Sequence, residues 1–251
     1  MIYQIEGRNS VSEAIKSERD IDKIYVLKDG DGRLGQIIRQ AKQQKIVIIE
    51  ADRNKLDQLS KTGAHQGVIA QCSATKYVST ADILAYAEER GEKPFVMIAD
   101  KITDPHNMGA IIRTALAAGV HGIIIPKRRS VGINETVAKV AAGALEHMKI
   151  AKVANLVNEI EYLKKQGVWI MGMDLEGAQN IYKSDLTGAI GVVIGSEGEG
   201  MSSLVRKSCD FLVKIPMIGE IQSLNASVAA GVTLFEILRQ LRNPGGKAAS
   251  H

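Results

Sequence analysis

The chain has 251 residues, with 32 Lys and Arg against 28 Asp and Glu for a formal charge of +4, and it contains two cysteines. That length supports one large or two modest domains with a proper core, and the near balance of charge means that polyanion binding has to come from local clustering. Cys72 and Cys209 show no paired spacing for a metal or a disulfide framework, no apolar run nears the roughly 20 residues of a membrane span, and the N-terminus has no basic-then-apolar leader, so a soluble cytoplasmic protein with ordinary buried thiols is expected.

In chain order, helix spacing runs from Gly7 to Ser17, a β-branched run from Ile24 to Leu27, a second helix from Leu34 to Gln44, and short strands at Ile46 to Ile49 and Gly67 to Ala70. These predict a compact α/β unit over residues 1–75. Residues 76–92 turn polar and charged and end at Gly91 and Pro94, so they are predicted as a linker with helical character from Ala81 to Arg90. Beyond it, apolar runs at Phe95 to Ala99, Gly122 to Ile125, Trp169 to Met173, Ile190 to Ile194 and Phe211 to Ile215 alternate with helical patterns, which predicts parallel strands covered by helices over residues 93–244. A last helix is expected from about Ser223 to Leu241, and residues 245–251 as a disordered tail.

One pattern points elsewhere. Gly30, Gly32 and Gly35 form a GxGxxG between a strand and a helix, with Glu50 at the end of the next strand, imitating a dinucleotide-binding fingerprint and hence an oxidoreductase. The module around it is too small and lacks the further βαβ unit that a nicotinamide crevice needs. A glycine-rich surface turn is the better reading. The GSEGEG from Gly195 to Gly200 is not followed by Gly-Lys-Ser/Thr and is no phosphate loop.

Three segments carry the chemistry: DPHNMGAIIRTALAAG from Asp104, VVIGSEGEGMSSL from Val192, and IPMIGEIQSLNASVAAGVTLFE from Ile215. Each sets polar and glycine residues where an apolar run gives way to a helix, which in an alternating α/β chain is where ligands bind. Asn107 is expected as a helix N-cap, with Arg113 further along an otherwise apolar or small-residue helix where a bland surface cation is out of place; His106 is assigned to the preceding turn. Glycines flank Glu197 and let backbone approach a ligand; that glutamate also suits the dipole of a following helix. Ser223 and Asn225 bring a hydroxyl and an amide to a helix start, where Ser223 also suits an N-cap. Lys127, Arg128 and Arg129 follow the GIIIP run and can neutralise phosphate or form a solvated charge run.

In order and wording these segments resemble the SpoU/TrmH family of RNA ribose 2′-O-methyltransferases, over roughly residues 93–241. A weaker likeness reaches the first 75 residues, where GRNSV from Gly7 and HQGVIA from His65 look like a small ribosomal-protein-like RNA-binding module. The resemblance implies a fold that periodicity does not reveal: an α/β parallel-sheet C-terminal domain tied into a deep trefoil knot of the SPOUT type, preceded by the small α/β RNA-binding domain. It implies S-adenosyl-L-methionine as cofactor, held by Met173, Gly195, Ile215, Met217 and Leu224, and catalysis by Arg113, Asn107, Glu197, Ser223 and Asn225, with no metal. It further implies RNA contacts through Arg8, Lys127 and Arg128 and also His65, a homodimer, and large-subunit ribosomal RNA, at a guanosine, as substrate. Transfer RNA as the target, and a non-catalytic RNA-binding or ribosome-assembly factor, are the alternatives. Whether Arg113 acts as a base or as an electrostatic stabiliser stays open, although a guanidinium is effectively always protonated.

Overall fold

The computed structural model describes residues 4–17, 20–28, 30, 32–176, 179–220 and 223–243. The chain splits into two compact units, Met1–Lys76 with Gly132–Glu135, and Tyr77–Val131 with Thr136–His251.

The first unit runs β1 (Gln4–Glu6), α1 (Arg8–Lys16), β2 (Ile21–Leu27), α2 (Gly32–Gln43), β3 (Val47–Ala51), α3 (Arg53–Leu59) and β4 (Val68–Cys72). Its sheet has the order β1-β4-β2-β3, with β2 parallel to β3 and β4 antiparallel to both β1 and β2. Helices α1 and α2 bury Val11, Ile15, Leu34 and Ile37 on Ile24, Val26, Val68 and Ala70. Such a short mixed sheet is not the parallel crevice that a dinucleotide fingerprint requires; of the three glycines read as a surface turn only Gly30 precedes α2, whereas Gly32 opens the helix and Gly35 lies within it. Glu6 pins the segment after α3. Burial pushes its carboxyl up, but hydrogen bonds from Ser60, Thr62, the Lys61 backbone and Gln4 outweigh that and bring it to about 2.

The second unit runs α4 (Thr80–Glu89), β5 (Phe95–Ala99), α5 (Pro105–Ala117), β6 (Gly122–Pro126), α6 (Glu135–Ala141), β7 (Lys149–Val153), α7 (Leu156–Lys165), β8 (Trp169–Met173), β9 (Gln179–Asn180), β10 (Ile190–Ile194), α8 (Ser203–Ser208), β11 (Phe211–Lys214) and α9 (Ala226–Arg242). Its seven strands lie in the order β7-β6-β5-β10-β8-β11-β9, every pairing parallel. Strands β5 and β10 are buried throughout, as expected of central strands covered on both faces.

The stretch expected as a linker, 76–92, instead contains α4, opened by a capping box between Ser79 and Asp82. Its Ile83 is fully buried in one cluster with Val96, Ile98, Ile124 and Ile170, and a Cβ on Gly122 of β6 would meet it at 2.6 Å. Apolar positions at one helical face, Ile83 and Ala87, dock this polar-looking segment onto the second unit. Residues 245–251 lie outside the described residues. The two cysteines behave as expected: Cys72 is buried, and burial pushes the half-buried Cys209 thiol up to about 12.

Strand order locates the site. From β5 the chain moves toward β6, on one side, whereas from the adjacent β10 it moves toward β11, on the other. A parallel sheet opens a crevice at the carboxyl ends of such a diverging pair.

Candidate active site

The loops after β5, β10 and β11 bring the three sequence motifs together at that crevice. Helix α5 starts with Asp104, not Asn107, as N-cap: the Asp104 carboxylate accepts from the backbone of His106 and Asn107, and Pro105 fills the first turn. Asn107, freed from capping, donates through Nδ2 to Glu197 Oε1 at 2.8 Å. Asn225 is the N-cap of α9, in place of Ser223; its Oδ1 accepts from the backbone of Ser227 and Val228. The Asn225 Nδ2 donates to Asn107 Oδ1 at 2.9 Å and to Glu197 Oε1 at 2.5 Å, and the Ala226 amide donates to the same carboxylate at 3.2 Å. Glu197 thus sits at the amino end of α9, not of the helix that follows it in sequence (α8), and binds the Asn107 and Asn225 carboxamides together.

The loop carrying Glu197 is tightly constrained. A Cβ on Gly195 would lie 2.2 Å from the Gly200 carbonyl carbon and 2.3 Å from the Met201 amide nitrogen, so glycine there is demanded by the loop's own backbone. Asp100, which sequence reasoning missed, is buried at the end of β5 and accepts from the Ser202 amide at 2.6 Å, fastening the far end of the loop. A carboxylate directly after an apolar strand was the available signal. Lys101, also missed, reaches Glu199 at 2.7 Å.

Arg113 lies on the exposed face of α5 and, among the described residues, has no hydrogen bond or ion pair. Helices α5 and α9 begin at the same end and pack side by side, Gly231 facing the Thr114 methyl. Ser223 is exposed and Leu224 half-buried, just before the Asn225 cap. Met173, at the carboxyl end of β8, is half-buried and its sulfur lies 3.3 Å from the Thr233 hydroxyl of α9. Ile215 follows β11 half-buried, while Met217 and the fully exposed Ile218 leave apolar surface uncovered in the same segment. Lys127 is half-buried and Arg128 exposed at the carboxyl end of β6. No group of metal-ligating side chains occurs among the described residues.

In the first unit, Arg8 opens α1 and donates to the Gln66 carbonyl at 3.0 Å. His65, read from sequence as a further RNA contact, is buried: its Nε2 faces Asp57 at 2.8 Å and its Nδ1 accepts from the Gly67 amide, holding the turn in which Gln66 and Gly67 take positive φ. Its place in HQGVIA is explained by that turn.

A cavity of about 450 Å³ lies elsewhere, lined by Trp169, Ser184, Asp185, Thr187, Ile190 and Phe211 among others. Trp169, Ile190 and Phe211 are the first residues of β8, β10 and β11, so this cavity opens at the amino edge of the sheet, away from the three motifs. Convergent polar groups, not the volume of a hollow, make the carboxyl edge the candidate site.

Residues 94–235 match the SpoU rRNA methylase family and residues 4–78 match the RNA 2′-O ribose methyltransferase substrate-binding family. A Bacillus subtilis (strain 168) protein assigned to the TrmH family of tRNA/rRNA methyltransferases is 47% identical over 242 residues, 96% of each chain. A Staphylococcus aureus relative of the same description is 42% identical over 243 residues, covering 96% of this chain and 97% of its own. Among solved structures, the SpoU methyltransferase AviRb from Streptomyces viridochromogenes, in complex with AdoMet, superposes with a TM-score of 0.61 at 23% identity over 96% of this chain and 91% of its own. The A. aeolicus TrmH/SpoU tRNA modifying enzyme has a TM-score of 0.55 at 32% identity over 61% of this chain and 78% of its own.

Proposed function

The chain belongs to the SpoU rRNA methylase family, and from that premise we propose that it methylates a ribose 2′-hydroxyl of structured RNA, with a guanosine of large-subunit ribosomal RNA as its target. The observation that carries this reading is the Asn107–Glu197–Asn225 cluster, in which residues from all three motifs share hydrogen bonds at the diverging strand pair.

The residues present fit S-adenosylmethionine: uncovered apolar surface at Met217 and Ile218, half-buried Met173, Ile215 and Leu224, and the backbone-built loop at Gly195 suit an adenine and a thioether chain. When bound, that molecule supplies an electrophilic sulfonium methyl. The protein's own task is then to orient the ribose and to offset the negative charge that grows on its oxygen. Arg113, permanently charged and without a partner among the described residues, is suited to that oxygen or to an adjacent phosphate. Glu197 and the two asparagines hold the starts of α5 and α9 in register, and Ser223 offers a hydroxyl beside them. Removal of the ribose proton by Arg113 is chemically harder than stabilisation of the oxygen, because a guanidinium gives up its own proton too reluctantly to serve as a base.

The first unit serves as the RNA-binding module, with Arg8 as a contact; Lys127 and Arg128 add phosphate contacts on the second. A trefoil knot in the second unit belongs to this reading, supported by β10 between β5 and β8 and by α9 packed beside α5. Two copies pair through α5 and α9, where Val228 and Phe235 are half-exposed apolar residues and Ala117 is small and exposed. Methylation of ribosomal RNA makes the protein cytoplasmic; no described helix is long and apolar enough to cross a membrane.

The test maps 2′-O-methyl groups in total RNA from cells with and without the protein. Loss of one mark in large-subunit RNA is expected. Loss of a mark only in transfer RNA moves the substrate, whereas no lost mark and no heat on titration with S-adenosylmethionine returns the chain to an RNA-binding factor.

A further inference from the structure

Two cations outside the three motifs lie beside the site loop, and the structure occupies them in an unusual way. Lys101 is the second residue after β5 and Arg129 the third after β6, and both take a left-handed backbone, with φ of 60° in each. The two loops are zipped together through Ile102, whose carbonyl accepts from the Ser130 hydroxyl at 3.1 Å and from the Val131 amide at 2.8 Å. Facing them is Glu199, on the same short loop as Glu197. Its Oε2 sits 2.7 Å from Lys101 Nζ, and its side chain is 77% exposed while that of Lys101 is only 23% exposed.

An exposed glutamate gains little from an ion pair with a solvated lysine. Here the lysine is mostly sheltered and its bonded carboxylate mostly exposed, so an incoming anion competes with a carboxylate already on Lys101. Hydrogen bonding to Lys101 holds the Glu199 carboxyl below its usual range, and the charge of Arg129 adds to that, so the carboxylate is ionised whenever RNA is intact. Two cations and one carboxylate give the cluster a net charge of +1 with its internal anion in place, and +2 without it.

We propose that Lys101 and Arg129 form a phosphodiester subsite beside the catalytic cluster, and that Glu199 occupies it in the free protein as a stand-in for phosphate and swings away when RNA binds. This rests on the reading of the chain as an RNA-modifying enzyme. The resident carboxylate lowers the attraction for any stray polyanion and keeps the sheltered lysine paired until a phosphate displaces it. A carboxylate-bearing small ligand such as S-adenosylmethionine is the competing occupant.

The experiment uses the full-length chain, a fluorescein-labelled RNA hairpin as probe, and a salt series. Glu199→Gln is expected to bind the hairpin about three- to tenfold more tightly at low salt, and to steepen the dependence of log affinity on log salt by about 1, as one more net charge meets phosphate. Lys101→Met is expected to weaken binding and make that dependence shallower by about 1. In the Lys101→Met, Glu199→Gln double variant, most of the gain from Glu199→Gln should vanish. Calorimetric affinity for S-adenosylmethionine should stay within about twofold in all three. If Glu199→Gln binds RNA no better and its salt dependence is unchanged, the subsite is wrong; if only S-adenosylmethionine affinity moves, the cations serve that ligand. A wild-type protein that ignores the hairpin at every salt concentration would sink the functional reading itself, a distinct result because it does not depend on the variants.

Discussion

The two edges of the seven-stranded sheet are built from the same strands and serve opposite ends. At the amino edge, a wide cavity collects Trp169, Asp185 and Thr187, and His121 is buried between the Phe95 amide and Glu92. At the carboxyl edge, the described residues gather few apolar walls but a dense set of polar bonds around Glu197, with Asp100 and Lys101 tying the loop down. Diverging chain direction at β5 and β10 accounts for the contrast. Loops that leave in opposite directions must be held together by side chains, and those side chains are then available to a ligand.

The largest effect that can break this comparison comes from Arg113. Arg113→Ala is expected to lower methyl transfer about a thousandfold, the scale for removing a group that stabilises developing charge, while S-adenosylmethionine affinity stays within a few fold. Arg113→Lys should fail as well, since an ammonium cannot reproduce the planar fork. Single-turnover rates with calorimetric binding check both. Near-normal turnover of Arg113→Ala would make it an ordinary surface cation and leave the carboxyl edge without its reacting group.

Glu197 comes next. Glu197→Ala leaves the amides of Asn107 and Asn225 and the Ala226 backbone without their common acceptor. Turnover should fall about a hundredfold, with about 1–2 kcal/mol lost in urea unfolding. Glu197→Gln keeps an acceptor oxygen without the charge and should recover part of both losses, because charge-assisted bonds are roughly twice as strong as neutral ones. Equal rates for the two variants would show that the charge is unimportant. Gly195→Val is a poorer probe of cofactor contact than the sequence suggests, since the added side chain first strikes the backbone of Gly200 and Met201.

How far the edges were legible follows from these residues. Strands β5, β8 and β10 coincide with apolar runs, because central strands bury both faces. Strand β7 escaped: Lys149 and Lys152 break its run, as suits a strand at the sheet's edge, where Lys149 and Lys152 lie over the rings of Tyr86 and Tyr77. Strand β9 is two residues long and carries no periodicity. The three motifs singled out in the sequence do meet in the structure, but which asparagine caps which helix was not legible. Pro105 was the overlooked signal, since proline in the first helical turn assigns the cap to Asp104 and releases Asn107 for Glu197. The contact between Asn107 and Asn225 spans 118 positions, and only the order of strands brings them together.

On the amino edge, His121 tests stability without chemistry. Its Nδ1 accepts from the Phe95 amide at 3.0 Å and its Nε2 lies 2.8 Å from Glu92, so the ring ties the start of β5 to the start of β6. His121→Ala should cost about 2–3 kcal/mol in urea unfolding, for the buried Phe95 amide left without its acceptor and the space left by the ring, with turnover of the folded protein unchanged. Hydrogen bonds from Arg90, then His121, hold the Glu92 carboxyl below its usual 4.5. A depressed acid stabilises the fold above its unfolded value and loses that stabilisation as the pH falls through the folded one, so the penalty of His121→Ala should shrink below about pH 4. A constant penalty there would mean that the ring's packing, not its bond to Glu92, matters.

The smallest effect is the sharpest discriminator, because the amino-edge cavity is a hollow of about 450 Å³ that competes with the carboxyl edge as a place for a ligand. Trp169 is 62% exposed, so Trp169→Ala removes little buried area and should change stability by no more than about 0.5 kcal/mol. Asp185 accepts from the backbone and hydroxyl of Thr187, which hold its carboxyl below the usual range, so Asp185→Asn loosens one surface turn and nothing more. Both variants should methylate RNA within about twofold of wild type and bind S-adenosylmethionine equally well. A tenfold loss of turnover in either, with S-adenosylmethionine binding intact, would place an RNA contact at the amino edge and end the division of labour between the two ends of the sheet. Unchanged turnover in both, beside the collapse of Arg113→Ala, would leave the hollow as a consequence of packing: the loop from Ser184 to Ala189 is held at one end by Gln240 of α9, which bonds the Ser184 carbonyl and the Leu186 amide, and at the other by the Trp169 amide on the Ala189 carbonyl.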